Sequence, residues 1–306
     1  MKRFLDKYLL LIAMVIGIGF YRPLSVLSPH TPFLLSAMLF ITYTRVSWHD
    51  IRLTKFHYIL LGIQYIGSAA VYLALRPLNE ILAQSAMICV LAPTATSAPV
   101  VAGILGGSIS AVAAYSMISN LLVAFIAPLF LSAVGNTGAD VSFAASFWYI
   151  FKKVMPVIVL PFVCALLLRR VSFKAYKKVQ SAQIVSFYLW AVTITILIAS
   201  VTRFVVEQNT GGYTLEIFIA LASLIICLLQ FFFGRKIGSA FGRAIAGGQS
   251  LGQKNTVLAI WLAQTYLNPL ASLGPGLYVL WQNLVNSYQI WLKKHREEKN
   301  RLNRFP

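Results

Sequence analysis

The chain has 306 residues, of which 58% are hydrophobic and 11% charged, and its 26 Lys and Arg against 8 Asp and Glu give a formal net charge of +18. A water-soluble domain of this size needs far more polar surface, so the composition excludes a soluble enzyme or scaffold. The basic residues gather at the ends of apolar runs instead of along one face, which argues against nucleic-acid binding.

A bilayer core of roughly 30 Å takes about 20 apolar residues of helix. That rule predicts ten transmembrane segments, near 5–21, 31–47, 56–75, 79–103, 108–134, 147–170, 178–203, 214–234, 237–265 and 269–292. The first, MKRFLDKYLLLIAMVIGIGF, begins like a secretory leader but lacks a small-x-small cleavage site and reads as a membrane helix. The fourth contains LAPTATSAPVVAGILGG, with Pro93 and Pro99 enclosing small and hydroxylated residues. The ninth contains GRAIAGGQSLGQKN, with Gly247, Gly248 and Gly252 ahead of Gln253, Lys254 and Asn255. Proline removes a backbone donor and glycine weakens a helix, so each segment should unwind near its middle. Unwound backbone survives at membrane depth only where protein or a watery cavity satisfies it.

The breaks fall fourth in each set of five segments. Interrupted segments at matching positions predict two inverted five-helix repeats, residues 1–135 and 136–293, followed by a basic tail over 294–306. The all-α fold would be a ten-helix polytopic membrane protein. Most basic residues lie in the N-terminal tail, the loops around Arg52, Arg170 and Lys236, and the C-terminal tail. The positive-inside rule puts those regions, with both termini, on the cytoplasmic side of a bacterial inner membrane. Lys152 and Lys153 fall on the other side, where they would snorkel to headgroups.

The region GQSLGQKNTVLAIWLAQTYLNPLASLGPGLYVLWQNLVNSYQIW resembles the bile acid:sodium symporter family. That family shows E-x-G-x-Q-N-S-G-L-A and then W-x-N; here stand Ser250, Gly252, Lys254, Asn255, Thr256, Leu258 and Ala259, then Trp281 and Asn283. The fourth segment is similar to a degenerate C-P-G-G-T-A-S-N break that retains Pro93 and Thr96. The resemblance implies panel and core domains, with two broken helices crossing at a sodium- and substrate-binding centre. It also implies departures. Ser250 replaces a sodium-coordinating glutamate, Lys254 a glutamine, and Ala98 and Pro99 a serine and an asparagine, while Gln64 matches a third-helix ligand. The sodium sites are expected to be lost.

The residues alone lead to the same expectation. The eight acids, Asp6, Asp50, Glu80, Asp140, Glu207, Glu216, Glu297 and Glu298, all lie at segment ends or in loops, so no carboxylate is expected at mid-membrane. Lys254 is the one basic residue deep in a segment. An isolated ammonium there costs at least about 2.5 kcal/mol, so it should face a cavity or find oxygen partners. We expect it to fill the space of a lost sodium ion, held by Gln64, Gln253, Thr96 and exposed carbonyls.

Thr94, Ser97, Ser116, Asn120, Asn255 and Thr256 would line the same centre. Asn120 and Asn255 stand out, since a buried amide needs up to four partners. The hydroxyls could equally bond their own helices. No cofactor pattern is present, and His30, His49, His57 and His295 form no metal-ligand spacing. Cys89, Cys164 and Cys227 lie in apolar runs and read as small hydrophobes.

The expectation is therefore a sodium-independent secondary carrier of small organic solutes, with the central cation pointing to organic anions. A proton-coupled carrier using Lys254 is the first alternative. A non-transporting sensor or remnant of the same fold is the second.

Overall fold

The computed structural model describes residues 2–44, 52–135, 142–207 and 212–302, with side chains from residue 9 to 298. The loop around Arg45, with Asp50 and Asp140, lies outside the described residues. So do the side chains of Asp6 and of the N-terminal basic cluster, and the last residues of the C-terminal tail.

The described chain is mostly helical. In order it forms α1 (Lys2–Gly19), α2 (Tyr21–Ser25), α3 (Thr31–Tyr43), α4 (Lys55–Leu75), α5 (Glu80–Leu91), α6 (Ala98–Leu105) and α7 (Ile109–Val134). There follow α8 (Phe143–Val171), α9 (Phe173–Ser181), α10 (Gln183–Glu207), α11 (Thr214–Ala240), α12 (Ala244–Gly252), α13 (Thr256–Tyr266) and α14 (Leu273–Leu302). Local chemistry starts them: Asn79, Ser108 and Ser142 accept a first-turn N–H at α5, α7 and α8, and Thr54 with His57 forms a reciprocal cap on α4.

Among the described residues, α4, α7, α8, α10 and α11 are each long and apolar enough to cross a membrane. The other predicted segments fall short of that measure for identifiable reasons. The fourth and ninth are each split in two, α3 ends at residue 43, and the apolar part of α14 is interrupted by Gln282, Asn283, Asn286 and Gln289. Large apolar side chains such as Phe33, Ile66, Phe125 and Leu221 are exposed around the outside, which suits a lipid surround.

The most extensive helix pairings fall into two groups, which α7 joins by packing along α8. The first joins α1 with α10 and α3 with α8 and α10. The second is built on α4 with α5, α11 with α12 and α14, and α6 with α7. At one end of the molecule Tyr176 Oη and Gln180 Nε2 donate to Thr44 O at 2.6 and 2.9 Å, Phe56 meets Phe241, and Lys293 Nζ donates to Ile104 O at 2.9 Å. At the other end Tyr72 Oη donates to Glu80, Gln84 joins Val134 O to Asn268 N, and Arg203 reaches Ser25 Oγ. The chain thus alternates between two ends as it passes from helix to helix.

One sequence expectation needs correcting in detail. Gly247 and Gly248 were expected to loosen the ninth segment, but both are helical within α12. Their role is close approach: a Cβ on Gly247 would strike the backbone of Gly234, and one on Gly234 that of Gly247. That bare contact lets α12 lie directly on α11, which runs on to Ala240, six residues past its expected end. The break itself falls later, at Gln253–Asn255.

Candidate functional site at the helix crossing

The prolines act where expected. Pro93 lies in the non-helical stretch between α5 and α6, Pro99 sits in the first turn of α6, and Gln253–Asn255 separates α12 from α13. The two gaps cross and pair as a short antiparallel bridge between Thr94 and Lys254. Ala95 N donates to Gln253 O at 2.8 Å and Asn255 N to Pro93 O at 2.7 Å, so each break satisfies backbone groups that the other leaves open.

At the end of α5, Ala92 N closes the last turn on Ile88 O, leaving the carbonyls of residues 89 to 92 free. Lys254 takes two of them: Nζ donates to Val90 O at 2.8 Å and to Ala92 O at 2.9 Å, with the residue 1% exposed. Gln64 Nε2 reaches Leu91 O and Ala92 O at 2.9 and 3.1 Å, and Gln230 Nε2 reaches Cys89 O at 3.3 Å. A cation and two amides therefore cap the negative end of this half-helix. Gln253 and Thr96 do not hold the ammonium: Gln253 Nε2 donates to Ser97 Oγ at 2.9 Å, and Thr96 lines the cavity below.

The end of α12 is capped without charge. Tyr278 Oη donates to Gly252 O at 2.8 Å and Thr94 Oγ1 to Ser250 O. Ser250 is fully buried, and its hydroxyl has no partner among the described residues. Gln282 Oε1 accepts from Lys254 N at 2.8 Å. On the first break, Thr94 N donates to Ser119 Oγ at 3.0 Å, and Thr94 O accepts from Ser116 Oγ at 3.2 Å and Asn120 Nδ2 at 2.9 Å. Asn255 caps α13 through Oδ1, which accepts from Leu258 N at 3.3 Å.

Beside the crossing lies a cavity of about 1040 Å³. Its floor comprises Thr96, Ser97, Asn120, Gln253, Asn255 and Thr256, and its opposite wall is α3 and α10, with Tyr43, Phe187 and Trp190. A second cavity of about 690 Å³ touches Phe33, Lys153, Phe204 and Tyr266. The two meet opposite ends of α3, α10 and α13. Lys153, expected at a lipid headgroup, lines the second cavity with its ammonium 5.7 Å from the Tyr149 ring.

Sequence reasoning brought forward Lys254, Gln64, Asn120, Asn255 and the Thr94 break, and the structure gathers all of them. It missed Tyr115, Gln230 and Tyr278. Tyr115 Oη donates to Gln64 Oε1 at 2.7 Å, and Gln230 Nε2 donates to Tyr278 Oη at 3.0 Å. Each half of the chain thus has a glutamine–tyrosine pair at the crossing, with both glutamines on the end of α5 and Tyr278 on the end of α12. Gln230 on an otherwise apolar helix was the available signal.

Crossed half-helices with capped ends and a cavity beside them, within a lipid-facing helical shell, define a membrane protein with a solute-sized internal site. The chain belongs to the Sodium Bile acid symporter family, whose model matches residues 26–208. The match covers the first break and ends before α11, so the motif around Lys254 lies beyond it. Membership makes the protein a multi-pass membrane transporter of small solutes, not an enzyme. No curated protein matches the chain.

Proposed function

We propose that the protein is a secondary carrier of small organic solutes that works by alternating access across ten helices in two inverted repeats. In it the Lys254 ammonium stands where a coupling sodium ion would sit. The observation that carries this reading is the seat of Nζ between Val90 O and Ala92 O, at the C-terminal end of a half-helix in the interior. Carbonyls at unwound segments and half-helix ends are the oxygens a transported cation uses. All five acids with described side chains lie at or near helix ends or on the tail of α14, leaving the lysine as the charge at the centre.

The paired breaks and the two glutamine–tyrosine pairs support the repeat reading. The two cavities at opposite ends of α3, α10 and α13 support alternating access, with α1, α3, α8 and α10 as the group that moves against the rest. The gathering of Arg169–Lys178, Arg243 and Lys293 at one end supports cytoplasmic termini. The case for an anionic solute rested on the central cation, and with Nζ turned into the end of α5 that case loses its footing.

The test uses the wild-type protein in sodium-containing and sodium-free media. Thermal unfolding in detergent and solute uptake into proteoliposomes should not change between them. A saturable rise of either with sodium would sink the substitution idea. Lumenal pH change driven by solute entry would assign proton coupling through Lys254, and solute binding without flux in any version would mark a sensor.

A further inference from the structure

Four residues that line the cavity, Tyr43, Asn120, Gln253 and Asn255, each carry a buried polar atom that the fold leaves unpaired, and in the two asparagines its identity is fixed by the neighbours. Asn120 is fully buried; its Nδ2 donates to two carbonyls, Thr94 O at 2.9 Å and Ser116 O at 2.7 Å, so the free atom is the acceptor Oδ1. Asn255 is 6% exposed; its Oδ1 accepts a backbone N–H, so the free atom is the donor Nδ2. Tyr43, on the facing wall and 3% exposed, has a hydroxyl with no partner among the described residues. Buried polar groups without partners cost about 1–3 kcal/mol each, and a ligand that pairs them recovers that cost.

The floor offers a carboxylate little. Among the described lining residues Lys254 is the only Lys or Arg, and its Nζ is occupied by α5 carbonyls. The half-helix N-termini that could replace a cation are largely spent. Pro99 has no N–H, Ala98 N and Val100 N donate to Ala95 O and Ser97 O, and Thr256 N and Leu258 N donate to Lys254 O and Asn255 Oδ1. A carboxylate only accepts, so it would leave Asn120 Oδ1 facing a negative oxygen in a site with no free countercharge among the described residues.

We propose, building on the carrier reading, that this floor binds the head of an uncharged amphipath bearing a hydroxyl or primary amide. The head donates to Asn120 Oδ1 and accepts from Asn255 Nδ2, the body packs on Phe187 and Trp190, and Tyr43 supplies a contact from the opposite helix group. Such a solute bridges both groups, so its binding favours their closure.

Matched probes, 2-naphthamide and 2-naphthoate, test the class by calorimetric titration of the protein in nanodiscs. The amide should bind at least about tenfold tighter than the carboxylate. Asn255→Asp keeps the helix cap but exchanges the free donor for an oxygen, and should cost the amide about tenfold. Tyr43→Phe, which leaves the α5 end untouched, should cost less. Tighter binding of the carboxylate, no binding of the amide, or indifference to both variants overturns the proposal. Flux in proteoliposomes separates the two readings: carboxylate flux without amide flux overturns only the solute class, whereas amide binding without flux overturns only the carrier.

Discussion

The ends of α5 and α12 occupy equivalent places at the crossing, yet they are finished with different chemistry. The carbonyls of α5 meet an ammonium and two amides; those of α12 meet a phenol and a threonine hydroxyl. Both ends carry the partial negative charge of a helix terminus, and only one receives a compensating cation. The difference teaches that the scaffold can keep its shape while the charge at its two centres diverges. Shape depends on closing backbone hydrogen bonds, which a hydroxyl does as well as an ion.

Removing the cation is the strongest way to break this comparison. Lys254→Ala would leave Val90 O without its donor and open an ion-sized space among carbonyls. Solute flux in sodium-free proteoliposomes should fall about a hundredfold, and added sodium should restore part of it. A variant indifferent to sodium would show that the space is not an ion site.

A smaller effect sharpens the contrast between the two tyrosines. Tyr278→Phe loses both the bond to Gly252 O and the acceptor for Gln230, and should destabilise the protein by about 2 kcal/mol in thermal or denaturant unfolding. Tyr115→Phe loses only its bond to Gln64 Oε1 and should cost about 1 kcal/mol. Equal losses would mean that the two ends depend on their phenols alike.

The smallest effect lies at the surface. Lys293→Ala removes a half-exposed contact to Ile104 O at the far end of α6 and should cost only about 0.3 kcal/mol. A cost approaching that of Tyr115→Phe would show that the outer end of the half-helix is held as firmly as the inner one.

The scaffold of the site was legible because breaks are written in residue types. Pro93 and Pro99 cannot sustain a continuous helix, and a lysine amid apolar residues must find oxygen, so the positions of the gap and of Lys254 could be read from the chain. Its direction could not, since a lysine can swing toward a cavity or toward a helix end, and only the packing of α5 against α12 through α11 decides. Tyr115 and Tyr278 were invisible for a related reason: in an apolar helix a tyrosine reads as bulk until its hydroxyl has a partner. Gly247 misled because glycine signals both loosening and close approach, and the bare Gly234 backbone opposite it selects the second.

The tether of Lys254 has an energetic consequence. A sodium ion bound at the end of α5 would arrive from one compartment and leave to the other, carrying the work stored in its gradient. An ammonium fixed by its own side chain visits neither compartment. Unless its proton departs, it has no reservoir to draw on, so a carrier built around it brings its solute to equal activity on both sides and goes no further.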